Sequence, residues 1–214
     1  MFSTAIVQTL SISSSLLASG GIATLSLFNV PELRSQPASR ALPSIRWLFS
    51  RGSHLFPETA ALSSAGFIYS AYESLAPGHN VLQLLKVLSN SRTINGYLAA
   101  AVLSISIGPF TSFVMLPTNF ALIRMNVEMG GARSEKSKVE GSSSEGRRAR
   151  DSVNGDGEAA EFTDLSGPQE KTQKESSADD EKMRSLLDKF SALNWVRAGL
   201  VGGGGILGLW IALS

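Results

Sequence analysis

Long apolar stretches separated by charged connectors dominate the sequence. The apolar runs cover Phe2–Val30, Leu55–Ala76, Ile94–Leu116 and Trp195–Leu213. A helix that crosses the hydrocarbon core of a bilayer needs about 20 mainly apolar residues, so each run is close to the required length. We predict four membrane-spanning helices. Phe2–Val30 is interpreted as a span rather than a cleaved signal peptide, because no basic residue precedes it and it is too long for a signal core.

The connectors are predicted from proline and charge. Residues 31–54 contain Pro31, Pro37 and Pro43 together with several arginines, which predicts a basic loop. Residues 77–93 begin with Pro-Gly and are predicted to form a second connector, with a short interfacial helix at Val81–Leu88.

Two further prolines affect the third span. Pro109 lies inside the span and predicts a kink. Pro117-Thr118-Asn119 follows the apolar run and predicts a break at the membrane boundary. A short helix over Phe120–Val127 is expected outside the bilayer.

Residues 130–182 have a different composition. Their apolar residues larger than alanine are Val139, Val153, Phe162 and Leu165. A segment with so few apolar side chains cannot offset the entropy cost of ordering, so we predict disorder. The expected organisation is a membrane domain at 1–129, a disordered loop at 130–182, and a lead-in with the last membrane helix at 183–214.

The predicted fold class is therefore all-α: an integral membrane four-helix bundle with a long disordered loop between helices 3 and 4. The basic residues of 31–54 and those following the third span place the large loop in the cytosol by the positive-inside rule. A multi-pass protein of the endoplasmic reticulum or a vesicle membrane is expected. Gly199/Gly203 and Gly204/Gly208 have the GxxxG spacing of close helix packing, within the chain or in an oligomer.

Composition excludes several kinds of chemistry. The chain has no cysteine and only two histidines. Thiolate nucleophiles, disulfides, iron–sulfur clusters and histidine-rich metal sites are excluded on this basis. The net charge of +1 gives no basic excess, so we expect lipid rather than nucleic acid as the surrounding partner. The common soluble catalytic motifs, such as GxSxG and HExxH, do not occur.

Polar residues within or beside the spans are the remaining candidates. Arg197, two residues into the last span, either extends its side chain to the headgroups or acts as a fixed cation toward an oxyanion. Glu58 and Glu73 are candidate carboxylates or interfacial residues. Asn119 is able to cap a helix or bind a ligand.

The remaining candidates are aromatic or lie in the predicted basic loop. His54 is either a general base or a solvated loop residue. Trp47 and Trp195 are interpreted as interface anchors or as walls of a ligand site.

One motif resembles a known family. Pro-Phe-Thr-Ser-Phe-Val-Met-Leu-Pro-Thr-Asn at 109–119 resembles the P-[FY]-T-x(4)-[ML]-x-P-T-N signature of the anthrone oxygenase-like family. Weaker elements follow the family's order: Ser26 to Pro31, Trp47 to Gly52 followed by Pro57, and Asn194-Trp195-x-Arg197. The resemblance covers all of the chain except the 130–182 insert.

The resemblance implies a small four-helix membrane protein of fungal aromatic polyketide pathways. Such proteins oxidise hydroxyanthrones to anthraquinones with O2 and without metal or flavin, so no cofactor is expected. Under this hypothesis Arg197 and Asn119 hold the carbonyl oxygen, and His54 or a glutamate is the base. Trp47 and Trp195 flank the ring, and substrate-binding residues also include Thr118 and Pro109.

A non-catalytic function remains the alternative. A four-helix membrane scaffold or a carrier for hydrophobic metabolites would show the same glycine-rich packing and the same long insert. It would bind ligands or partners without consuming O2.

Overall fold

The fold is all-helical over the residues that the computed structural model describes, which are 4–75, 91–139 and 166–214. Four long helices pack together, at Thr4–Arg34, Ala38–Glu73, Arg92–Glu128 and Ser177–Ala212. The predicted all-α class with four long helices is confirmed.

Two of the long helices change helix type along their length. In chain order the elements are α1 (Thr4–Thr24), a π-helical turn (Leu25–Asn29), α2 (Val30–Arg34), α3 (Ala38–Glu73), α4 (Arg92–Ile105), α5 (Ile107–Phe110), a second π-helical turn (Thr111–Met115), α6 (Leu116–Glu128), α7 (Glu135–Val139) and α8 (Ser177–Ala212).

Each π-helical turn ends two residues before a proline, Pro31 in one case and Pro117 in the other. Proline has no N–H to donate to the preceding turn, and a π-helical turn is a common local adjustment within a longer helix. Helical structure therefore continues past Pro117, and the break predicted at Pro117-Thr118-Asn119 is wrong. Around Pro109, where a kink was predicted, the α-helix is interrupted at Ser106 and gives way to the π-helical turn at Thr111.

The basic loop predicted at 31–54 is also wrong. α2 covers the first of these residues, and α3 runs through Pro43 and Pro57 without interruption. Leu42, Ile45 and Phe49 recur at helical spacing and are buried, and this packing stabilises the helix despite proline. The positive-inside argument relied on residues 31–54 forming a short basic loop, and most of them are helical. The cytosolic location of the large loop therefore stays a prediction.

Three of the long helices are long and apolar enough to cross a membrane. They are Thr4–Arg34, Arg92–Glu128 and Ser177–Ala212. Among the described residues, the predicted span at Leu55–Ala76 does not reach this level of hydropathy, because α3 carries many serines along with Glu58 and Glu73. Among the described residues, three of the four predicted spans therefore lie in membrane-capable helices.

The disorder predicted for 130–182 is wrong at both ends of the insert. Gly130, with φ +79°, ends α6, and the Gly131 N–H donates to the Asn126 carbonyl at 2.8 Å, a Schellman-type cap. At the other end, the Thr172 N–H donates to the Ser39 carbonyl at 2.8 Å. The centre of the insert, 140–165, and the predicted helix at Val81–Leu88 lie outside the described residues.

The chain divides into two compact units. Unit 1 contains residues 1–23, 56–110 and 195–214, and unit 2 contains residues 24–55 and 111–194. Every long helix contributes residues to both units. Each unit has its own hydrophobic core.

Unit 1 is packed through glycine and serine. A Cβ on Gly204 would lie 2.8 Å from the Ala100 carbonyl oxygen and 2.5 Å from Ser104 Oγ. A Cβ on Gly208 would collide with the Phe67 ring. The Gly204/Gly208 pair is therefore confirmed as a close-packing pair, because these contacts leave no room for a side chain.

The other predicted glycine pair makes no close contact with the described residues of the chain. A Cβ on Gly199 would meet no described atom within 4 Å, and one on Gly203 would meet only Leu103, at 3.9 Å. Gly202 has the closer contact instead, since its Cβ would lie 2.5 Å from Ser19 Oγ.

Unit 2 is packed through larger side chains. Its core combines residues of α2, α3, the second π-helical turn, α6 and α8, among them Leu42, Phe49, Met115, Leu122 and Phe190. The rings of Phe49 and Phe190 meet edge to face, with centroids 5.2 Å apart.

Candidate functional site

The site residues predicted from the sequence are distributed over both units. Unit 1 contains Pro109, Trp195 and Arg197. Unit 2 contains Trp47, His54, Thr118 and Asn119. The hypothesis that Arg197 and Asn119 hold one carbonyl oxygen stays a prediction.

Arg197 is a buried cation in unit 1. Only 6% of its surface is exposed, and its guanidinium carbon lies 5.8 Å from the centroid of the buried Phe56 ring. A Cβ on Gly21 would lie 3.1 Å from that ring, so glycine allows the close approach of α1. The headgroup-directed alternative for Arg197 does not fit this burial, because such a side chain ends in water.

A cation over an aromatic face is stabilised by the ring quadrupole, and more so when water is excluded. Guanidinium has five N–H donors and accepts nothing, so this position favours an anionic or carbonyl oxygen as ligand. The chemistry that Arg197 is able to provide is therefore stabilisation of negative charge on oxygen.

The other predicted residues of unit 1 are more accessible. Trp195 is 47% exposed, and Pro109 is exposed as well. Both face outward from the buried part of unit 1, as the interface-anchor interpretation of Trp195 expects.

Thr118 and Asn119 are buried side by side at the start of α6, in unit 2. They are 2% and 8% exposed. Within the described part of the chain, Thr118 Oγ1 and Asn119 Oδ1 have no hydrogen-bond partner. The capping alternative for Asn119 does not apply, because helical structure continues through this position from the preceding turn.

Trp47 is held by the end of the insert. Its Nε1–H donates to the Ser166 carbonyl at 2.9 Å, and the Arg51 guanidinium lies 5.3 Å from the ring centroid. His54 is half-buried on α3 rather than in a solvated loop. Both residues therefore lie on helix α3, whereas a loop was predicted for this part of the chain.

The candidate carboxylates are in solvent-accessible positions, since Glu58 and Glu73 are both exposed on α3. This agrees with their interfacial interpretation. Within the described ranges, no three His, Cys, Asp or Glu side chains are grouped as metal ligands would be.

Sequence reasoning missed Arg46. It was assigned to a basic loop, but it lies on α3 and is only 2% exposed. The available signal was helical periodicity. Arg46 is one residue after Ile45 and three before Phe49, so it lies on the buried face of a periodic apolar pattern.

Unit 2 also contains a surface cavity of about 490 Å³. Met125, Met129, Glu128 and Lys174 contribute to its walls, and none of the predicted site residues lines it. This cavity gives no support to the predicted site.

Together these features define an all-helical protein with three membrane-capable helices, a buried guanidinium in the last of them, and buried polar groups after the second π-helical turn. The sequence model of the family described as Anthrone oxygenase matches residues 46–207. The chain belongs to the anthrone oxygenase family, which implies oxidoreductase activity. None of the curated proteins or solved structures compared with the chain matches it.

Proposed function

We propose that this protein oxidises a hydroxyanthrone to the corresponding anthraquinone with O2, without metal or flavin, in an aromatic polyketide pathway. The family match over residues 46–207 carries the proposal, because it includes Thr118, Asn119 and Arg197. The three membrane-capable helices are consistent with a hydrophobic polycyclic substrate that partitions into lipid.

The chemistry needs little from the protein. An anthrone has a CH2 group opposite a ring ketone, and loss of one proton gives an electron-rich aromatic enolate. This anion donates electrons to O2 and forms a hydroperoxide at the former CH2 carbon, which loses water to become the second ketone. Four electrons pass from carbon to O2; one oxygen atom enters the product and the other leaves as water.

Stabilisation of the enolate is the step in which a buried cation contributes most. Charge develops on the ketone oxygen as the proton leaves, and a preorganised donor in a water-excluded site stabilises that charge strongly. In this proposal Arg197, buried over Phe56 in unit 1, has that role.

The test compares O2 uptake and quinone formation by membranes that carry the chain with those of empty membranes, because anthrones also oxidise spontaneously. An excess rate that survives a metal chelator is expected. Arg197→Gln is expected to lower kcat/KM by about 10²- to 10³-fold, and Arg197→Lys by less, since the charge remains.

Lys189→Gln is the matched control, because Lys189 is an exposed cation on the same helix. It should leave the rate unchanged, with equal amounts of each variant in washed membranes. No excess uptake with several hydroxyanthrones would reject the oxygenase proposal and favour a scaffold or carrier. Excess uptake with an unaffected Arg197→Gln variant would remove only Arg197 from the mechanism.

A further inference from the structure

The long helices are longer than a bilayer requires. Thr4–Arg34, Arg92–Glu128 and Ser177–Ala212 contain 31, 37 and 36 residues, and α3 contains 36. At 1.5 Å per residue they extend about 46–56 Å, whereas the hydrocarbon core of a bilayer is about 30 Å thick. Helix length alone therefore leaves open which part of each helix is surrounded by lipid.

The parts of these helices that belong to unit 1 have the length of a bilayer core. Unit 1 takes residues 4–23, 56–73, 92–110 and 195–212 from the four helices, which is 18 to 20 residues from each. Segments of this size extend about 27–30 Å. Because unit 1 is delimited by its internal contacts and not by its hydropathy, this match in length is independent of composition.

The charged side chains of unit 1 lie at the ends of these segments. Among the described residues of the unit they are Glu58, Glu73, Arg92 and Arg197, and each is one of the first or last three residues of its segment. A charge at the centre of a bilayer is costly, whereas a long side chain near either end reaches the headgroups or a buried partner. The charges of unit 1 are therefore arranged as lipid on all sides would require.

The outer surface of unit 1 is apolar on every helix. Leu17 of α1, Leu62 of α3, Val102 of α4 and Ile206 of α8 are each more than 60% exposed. Single exposed apolar side chains are ordinary on water-soluble proteins, but an apolar surface that continues around a whole unit indicates contact with lipid or with another protein.

Helix α3 shows the clearest departure from a water-soluble pattern. In its unit 1 part, Leu62 and Ile68 are exposed, whereas Ser63, Ser64 and Ser70 are buried. A helix on the surface of a water-soluble protein turns its polar side chains outward. The mean hydropathy of α3 does not detect this inversion, because the buried serines count against it. The exposed face of α3 therefore fits lipid better than its mean hydropathy indicates.

Exposed tryptophan and tyrosine mark the ends of unit 1. Trp195 is the first residue of the segment 195–212 and Trp210 is the third from its end, and both are exposed. Tyr72, also exposed, is the last residue but one of the segment 56–73. Such amphipathic rings concentrate at the two interfaces between a membrane and water.

We infer that the hydrocarbon core of the bilayer surrounds unit 1 and ends where each long helix passes into unit 2. Lipid acyl chains cover the exposed face of unit 1. The exposed cations Arg40 and Lys189 of unit 2 then contact headgroups or water. Phe113 is exposed three residues beyond unit 1 and lies in the headgroup layer, which is about 5–7 Å thick.

The chain has no cysteine, so single-cysteine variants carry one nitroxide spin label without background. Ile206→Cys in unit 1 is matched by Ser185→Cys in unit 2 on the same helix, and Leu62→Cys is matched by Arg40→Cys on α3; all four positions are exposed. Substitutions at exposed positions usually change stability little, and the thermal midpoint of each variant checks this.

In phosphatidylcholine vesicles, each label is tested for collisions with O2, which concentrates in hydrocarbon, and with a water-soluble nickel chelate, which is excluded from it. The ratio of O2 to nickel collisions is expected to be at least about 10-fold higher in the unit 1 member of each pair.

Three results would overturn the inference. Nickel access at Ile206 or Leu62 equal to that at its partner would show that lipid does not cover unit 1. Exclusion of nickel from Ser185 and Arg40 would show that lipid extends over unit 2. Spectral broadening at Ile206 that disappears on dilution with unlabelled chain would show that a second copy covers this face.

Label accessibility and O2 uptake are independent readouts. O2 uptake with a different lipid boundary would reject only the boundary, whereas the expected boundary without O2 uptake would reject only the oxygenase.

Discussion

The two units differ in the size of the side chains that lie between their helices. Unit 1 brings helices together by omitting side chains: Gly202, Gly204 and Gly208 of α8 lie against α1, α4 and α3, respectively. Unit 2 fills the space between its helices with leucine, methionine and phenylalanine. Small residues matter most where lipid removes the hydrophobic driving force, since helix association then depends on close contact.

The units also differ in how they treat buried polar atoms. In unit 1, Ser15 Oγ donates to the Val201 carbonyl at 2.7 Å and Ser19 Oγ donates to the Ala198 carbonyl at 2.8 Å. These serines join helices by satisfying backbone oxygens. In unit 2, Thr118 and Asn119 are buried, but Oγ1 and Oδ1 have no partner among the described residues. The contrast is one of degree: within the described residues, unit 1 also contains the unpartnered hydroxyl of Ser63, and in unit 2 Ser26 Oγ donates to the Ser191 carbonyl at 2.9 Å.

The largest expected effect tests the packing of unit 2. Phe190→Ala removes a fully buried ring that meets Phe49 edge to face. It should lower the free energy of unfolding by about 3–5 kcal/mol, because a cavity remains and the ring contact is lost. Denaturant titration of the detergent-solubilised chain measures it.

Phe113→Ala is the control for that prediction. Phe113 belongs to the same unit but is 82% exposed, so its removal should change stability by less than about 0.5 kcal/mol. A similar loss in both variants would mean that phenylalanine content, rather than core filling, stabilises unit 2.

The second prediction tests the packing of unit 1. Gly204→Ala places a methyl group 2.8 Å from the Ala100 carbonyl oxygen, and backbone cannot move aside as a flexible side chain can. The expected loss is about 1–3 kcal/mol, measured by thermal unfolding. Gly199→Ala on the same helix meets nothing within 4 Å and should be neutral or stabilising by up to about 1 kcal/mol. Equal effects of the two substitutions would contradict close packing at Gly204.

The sequence predicted the parts of the fold that depend on uniform local composition. Long apolar runs indicated the helices that contain Ile94 and Trp195, and the spacing of Gly204 and Gly208 indicated a packing face. The helix-breaking effect of proline was overestimated. Burial of apolar side chains stabilises α3 across Pro43, and a π-helical turn accommodates Pro117 within the third long helix.

Non-local contacts explain the other failures. The ends of the insert are held by backbone hydrogen bonds such as Thr172 N–H to Ser39 C=O, which no local pattern encodes. For the candidate site, sequence indicated Arg197 and Asn119 as polar residues beside apolar runs. It missed Arg46, because the assumed loop hid the helical periodicity around it.

The smallest expected effect concerns Trp47, for which the structure suggests a different role from the predicted one. Trp47→Phe deletes the hydrogen bond to the Ser166 carbonyl but keeps an aromatic ring. It should cost about 0.5–1.5 kcal/mol, and the loss should appear first at the end of the insert. Limited trypsin digestion with mass spectrometry, read at Lys171, is expected to show faster cleavage in this variant.

Affinity for a hydroxyanthraquinone decides between the two roles of Trp47. If the tryptophan anchors the insert, Trp47→Phe accelerates cleavage and leaves affinity unchanged, and Arg51→Gln, which removes the cation over the ring, has a weaker effect in the same direction. If the tryptophan is a wall of the ligand site, affinity falls while cleavage stays slow. The second result would support the predicted role of Trp47 as a wall of the ligand site. It would also show that the hydrogen bond from Trp47 Nε1–H to the Ser166 carbonyl contributes little to order in unit 2.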